Sequence, residues 1–128
     1  MSVTRDIMFD SRRSIEETTA LLNQALDPDR RLHVRTVESP TGSWRIAEGV
    51  VAGYPAVLTD TKGLDDAESR GFSWSLGLAC AMRPAESYEM YGARCTQDAA
   101  GIMRRIGALL GSRCMLLENM QRRVGSYP

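Results

Sequence analysis

A single histidine and three cysteines set the limits of the chemistry this chain can offer. His33 stands between Leu32 and Val34, with Arg31 and Arg35 two positions away on either side. One imidazole leaves little material for a zinc site of the usual type, and a Ser-His-Asp triad would have to be built on this residue alone. Its ordinary role would be that of a strand-surface or half-buried histidine. Cys95 immediately precedes the helix that the spacing predicts from Thr96, and the positive end of a helix lowers a thiol pKa toward a reactive thiolate. A Cys95–His33 dyad is thus the nucleophile-and-base pair of a small thiol-dependent enzyme. Against it stands the commoner fate of cysteine as a small buried apolar residue.

Carboxylates gather at Asp60, Asp65, Asp66 and Glu68. They lack the ligand alternation of an EF-hand and enclose Lys62, so they read as a solvated acidic loop and no metal is expected. Cys80, Cys95 and Cys114 are an odd number at wide spacing, which fits reduced thiols better than a disulfide framework or a paired zinc motif. Gly101 and Gly107 fall inside a helical pattern and not before one, so no phosphate loop is present. No cofactor is expected, and the chain reads as a non-enzyme.

Charge narrows the partners. Sixteen basic and sixteen acidic residues give no net charge, which removes the long-range attraction typical of nucleic-acid and membrane-surface binders. The pairs Arg12-Arg13, Arg30-Arg31, Arg104-Arg105 and Arg122-Arg123 mostly have acidic neighbours in sequence and read as solvated faces. The N-terminus lacks the apolar core of a signal peptide, and no apolar run approaches the ~20 residues of a membrane helix. A soluble cytoplasmic protein is the expectation, with neither nucleic acid nor membrane as partner.

The elements that would position these residues are legible from periodicity. Phe72, Trp74, Leu76, Leu78, Cys80 and Met82 alternate with Ser73, Ser75, Gly77, Ala79 and Ala81, the two-residue period of a strand with one bulky and one nearly bare face. This strand is expected at the centre of the fold, its bare face open to close approach by a helix, partner or ligand. Val3, Arg5, Ile7 and Phe9 predict a first strand with one buried face. Ser14 and Glu17 form a capping box for a helix carrying Ile15, Leu22 and Leu26, stopped by Asp27-Pro28. Strands follow over Leu32–Val37, Trp44–Val51 and Ala56–Asp60, separated by short turns at Pro40-Thr41-Gly42 and Gly53-Tyr54-Pro55, which implies an antiparallel meander. A second helix is predicted from Thr96 to a stop at Gly111, with Gly101 and Gly107 hinting at close packing on a sheet. The strand Cys114–Glu118 and a polar tail complete the chain.

These elements predict a single α+β domain over residues 1–128, a two-layer sandwich of about six mainly antiparallel strands packed with two helices. Two long loops would then carry recognition. Asp65, Asp66 and Glu68 lie on the first, and Glu86, Tyr88, Glu89 and Tyr91 on the second. Tyrosine supplies desolvated contact area and carboxylates pair with lysine or arginine, so the combination suits a basic protein partner.

The stretch Phe9-Asp10-Ser11-Arg12-Arg13-Ser14-Ile15-Glu16-Glu17-Thr18-Thr19-Ala20-Leu21-Leu22, together with the small α+β layout, resembles small bacterial immunity proteins, including those paired with contact-dependent growth-inhibition toxins. The resemblance implies a cytoplasmic antidote that binds a cognate toxin domain, often a nuclease, and blocks its active site or substrate cleft. It assigns no individual residue a role. The alternative is a secretion chaperone or adaptor holding an effector through an exposed strand edge or through the small-residue face of Ser73 to Ala81.

Overall fold

The computed structural model describes residues 3–62, 71–119 and 122–128. Its elements run β1 (Val3–Phe9), α1 (Ile15–Leu26), β2 (Arg30–Ser39), β3 (Gly42–Val51), β4 (Tyr54–Asp60), β5 (Trp74–Cys80), α2 (Tyr88–Leu110), β6 (Cys114–Glu118) and β7 (Arg122–Tyr127). The strands form one seven-stranded sheet in the order β2-β3-β4-β5-β1-β6-β7, with every neighbouring pair antiparallel. The architecture is the α+β sandwich the periodicity implied, with one strand more.

Both helices lie against one face of this sheet, and the bulky side chains of the strands meet them there. Ile7, Phe9, Leu58, Leu76, Leu78 and Leu116 from the sheet join Leu22 of α1 and Tyr91, Cys95 and Ile106 of α2 in the main core. Residues opposed in an antiparallel ladder share a face, so the register carries this grouping across the sheet. The row Leu58, Leu76, Ile7 and Leu116 is one such line.

The predicted central strand is β5, the fourth of the seven. Its ends depart from the expectation. Phe72 packs with Met8, Met115 and Leu117 in a second cluster on the face away from the helices, and Met82 is exposed, because the strand spans only Trp74–Cys80 and its alternation ends there. β1 likewise buries both faces: Met8 is as inaccessible as Ile7 and Phe9, and Asp6 is also buried. Met115, Leu117 and Phe72 cover Met8 on the side away from the helices.

Helix α1 starts as read, with the Ser14 hydroxyl accepting from the Glu17 amide (3.2 Å) and the Glu17 carboxylate from the Ser14 amide (3.3 Å). Helix α2 starts eight residues earlier than the spacing predicted. Ser87 is its N-cap and accepts from the Met90 amide (3.1 Å), so Tyr88, Glu89 and Tyr91 belong to its first turns and Cys95 to its interior. The apolar stripe of Ala99, Ile102, Met103 and Ile106 extends back through Cys95 and Tyr91 at four-residue steps. The polar tail is also a correction: it pairs with β6 as β7. Tyr127 lies so close to α2 that a Cβ on Gly107 would stand 2.3 Å from its ring, whereas Gly101 meets nothing nearer than 4.0 Å.

Candidate functional site: a groove on the open sheet face

The face turned away from the helices carries a groove of about 870 Å³ that crosses β2, β3, β4 and β5 and reaches Thr4 of β1. Its construction begins with a bulge. The register passes from Arg30 opposite Val50 to His33 opposite Glu48, so Arg31 and Leu32 together face the single residue Gly49. Only glycine fits there, since a Cβ would stand 2.5 Å from the Arg30 carbonyl oxygen and 2.7 Å from that of Arg31. A bulge of this kind re-aims side chains, and here Arg30 and Arg31 both line the groove, with His33 and Arg35 beyond them.

From β2 toward the centre the lining changes character. Glu48 is held by Arg35 in an exposed ion pair. Arg30 and Arg31 make no ion pair among the described residues, so the β2 end is basic. The floor further in is Val50, Pro55, Val57 and Ala79, with Gly77 beside them. Pro55, Val57 and Ala79 are exposed, so the bare face predicted for the central strand forms part of an open concavity. Toward β6 the same face is closed by the cluster of Met8, Met115 and Leu117.

The residues singled out for thiol chemistry are separated by the sheet. Cys95 is buried on the helix side, while His33 is exposed in the groove on the other. No dyad forms, and Cys95 is not at a helix N-terminus. Burial pushes the Cys80 thiol up to about 12, reinforced by its hydrogen bond with Cys95, and pushes Cys114 up to about 11. Both stay protonated at neutral pH.

Of the acidic and aromatic residues read as a recognition surface, the structure describes Glu86, Tyr88, Glu89 and Tyr91. Asp65, Asp66 and Glu68 lie outside the described residues. Tyr91 is 2% exposed; its hydroxyl donates to the Cys80 carbonyl (2.7 Å) and accepts from the Val3 amide (3.1 Å), tying α2 to β5 and β1. Glu86 is engaged by Arg94 through two hydrogen bonds of 2.7 and 2.9 Å. Those bonds, with one from the Arg83 amide, hold its carboxyl down at about 2. Arg94 also donates to the Tyr54 hydroxyl (2.6 Å), which in turn donates to Asp98 (2.5 Å). This network fastens the chain before α2 to the helix and to β4. Tyr88 and Glu89 remain exposed on the first turn of α2.

Comparison with protein-family profiles, with curated proteins and with solved structures finds no match to this chain. The groove therefore has to be read from its own chemistry. Sequence reasoning found the small-residue face but not the arginines beside it, because Arg30, Arg31 and Arg35 are brought to that face only through the bulge and the hairpin. Gly49 was the available signal: a glycine inside a strand pattern marks a bulge or a close backbone approach. Among the described residues no group of histidine, cysteine and carboxylate side chains is arranged to hold a metal, and no helix is long and apolar enough to cross a membrane.

Proposed function

We infer that this chain is a non-enzymatic protein that binds and neutralises a partner protein, the role of an immunity protein toward its cognate toxin domain. The observation that carries this reading is the groove: an open apolar floor on the sheet, edged by Arg30 and Arg31, which make no ion pair among the described residues. Exposed apolar concavities rimmed by polar groups mark interaction sites. The thiols, the groups best suited to nucleophilic chemistry, are sealed in the core, and burial keeps those of Cys80 and Cys114 protonated. The recognition surface thus moves from the loops to the sheet.

The test is co-expression with the product of the adjacent gene, using the wild-type chain and Ala79→Trp, which fills the groove floor from an exposed position. Wild type is expected to relieve that product's toxicity and copurify with it, and Ala79→Trp to do neither while melting at the same temperature. Capture that survives Ala79→Trp unchanged overturns the assignment of the groove.

One observation favours the second reading, an adaptor that holds an extended effector segment. β2 is an edge strand of ten residues. The side chain of Asn23 satisfies the amide (2.9 Å) and carbonyl (3.0 Å) of Leu32 at that edge. Ladder alternation then turns the backbone groups of Val34 and Thr36 the same way, open to an added strand. A monomer in sedimentation that binds only a folded partner would rule this reading out.

A further inference from the structure

The groove has a direction, and that direction specifies its occupant. Its cross-strand row His33, Glu48, Val57, Gly77 follows the register from β2 to β5, and the neighbouring row runs from Arg30 through Val50 and Pro55 toward Ala79 and Thr4. Five strands at about 4.8 Å spacing span about 19 Å, the length of about six residues of extended chain. The basic groups stand at one end of that span and the apolar floor fills its middle.

We propose that the groove takes an extended acidic segment of a protein partner, laid across the strands with carboxylates at Arg30 and Arg31 and apolar side chains over Pro55, Val57 and Ala79. This rests on the protein-binding reading above and names the partner's chemistry. Arginine pairs with carboxylates through two parallel charge-assisted hydrogen bonds, and both guanidinium groups lack an ion-pair partner among the described residues. Glu48 does not compete for them, because Arg35 holds it. Gly77 and Ala79 keep the middle of the floor low, so a bound backbone can approach the sheet there. A nucleic acid fits less well: the lining offers no Phe, Tyr or Trp for base stacking, Glu48 lies within the phosphate path, and the chain has no net charge. The acidic polarity of the occupant reverses the one inferred from the loops.

The test uses the full chain and fluorescein-labelled ten-residue peptides with two glutamates at one end and leucine alternating with serine in the rest. The same peptide with glutamine in place of glutamate, and a ten-nucleotide single-stranded RNA, serve as comparisons. The acidic peptide is expected to bind at least about tenfold more tightly than the glutamine peptide, with an affinity that falls as salt rises. The double variant Arg30→Gln, Arg31→Gln should erase that difference, and Ala79→Trp should abolish binding of both peptides, with melting temperatures unchanged in each case. Equal binding of the two peptides, tighter binding of the RNA, or no binding of the acidic peptide at about 1 mM overturns the proposal. The two readings fail separately. Capture of the adjacent-gene product that is lost in Ala79→Trp but kept in the double arginine variant leaves the protein-binding reading standing and removes the acidic segment.

Discussion

Trp74 and Tyr91 are both large aromatic residues with a polar tip, and both are buried, yet they differ in how openly the sequence declares it. Trp74 is 8% exposed, and its indole N–H donates to the Ser11 carbonyl at 3.0 Å. Its place in a strict alternation with small residues was enough to assign it to the core. Trp74→Ala should lower stability by about 3–5 kcal/mol in urea unfolding, since it removes packing and the shorter of the two hydrogen bonds to the Ser11 carbonyl. A loss under about 1 kcal/mol would contradict the burial of this side chain. Tyr91 stands among Ser87, Tyr88 and Glu89 and reads as an interfacial aromatic, because nothing local distinguishes a tyrosine that anchors a partner from one that anchors its own helix. Tyr91→Phe should destabilise by about 1–3 kcal/mol, as the Cys80 carbonyl and Val3 amide lose their partner, and should leave capture of a partner protein intact. Lost capture with unchanged stability would return Tyr91 to the binding surface.

Among the elements, α1 was legible to the residue because its signals are local: a capping box at one end and Asp-Pro at the other. α2 was legible only in its second half. Gly92 and the charged residues around it dilute the stripe that Tyr91 and Cys95 continue, and Thr96 offers an equally good local cap. What decides between the two starts is the contact of the first turns with β1 and β5, which no local signal contains. β7 was hidden for a related reason: its pairing with β6 is non-local in origin, although Gly107 did announce that something would press on the helix, and the Tyr127 ring does. β2 and β3 were located as strands, but the bulge opposite Gly49 follows from their register. Gly49→Ala should push the Arg30–Arg31 backbone away, because the new methyl meets carbonyl oxygens that belong to the main chain and cannot rotate aside. The expected result is a lower melting temperature together with weaker binding of the acidic peptide, measured on the same preparation. A variant that keeps both would mean that β2 approaches β3 less closely than 2.5 Å from that position implies.

At the scale of the whole molecule, Cys80, Cys114 and Tyr54 hold their protons more tightly folded than unfolded. Burial raises Cys80 from 9.0 to about 12, Cys114 from 9.0 to about 11 and Tyr54 from 10.0 to about 12, the last also through its hydrogen bond to Asp98. The unfolded chain releases these protons first, so their contribution is complete below about pH 9 and is lost as pH rises toward 12. Glu86 acts at the other limit: its lowered pKa stabilises the fold above 4.5, and that contribution disappears as pH falls toward 2. Urea unfolding at pH 7, 9 and 11 should show stability steady over the first interval and falling over the second. A flat profile to pH 11 would contradict the burial of the two thiols. The strand and helix periods, the capping box and the turn residues were sufficient to establish the α+β class, the central strand and the order of nearly every element, because each depends on neighbours within a few positions. That Tyr91 is core, where α2 begins, and that Arg30, Arg31, His33 and Ala79 share one groove were settled only in three dimensions. Those facts depend on cross-strand register and on which sheet face the helices cover, and both are set by contacts between residues far apart in the chain.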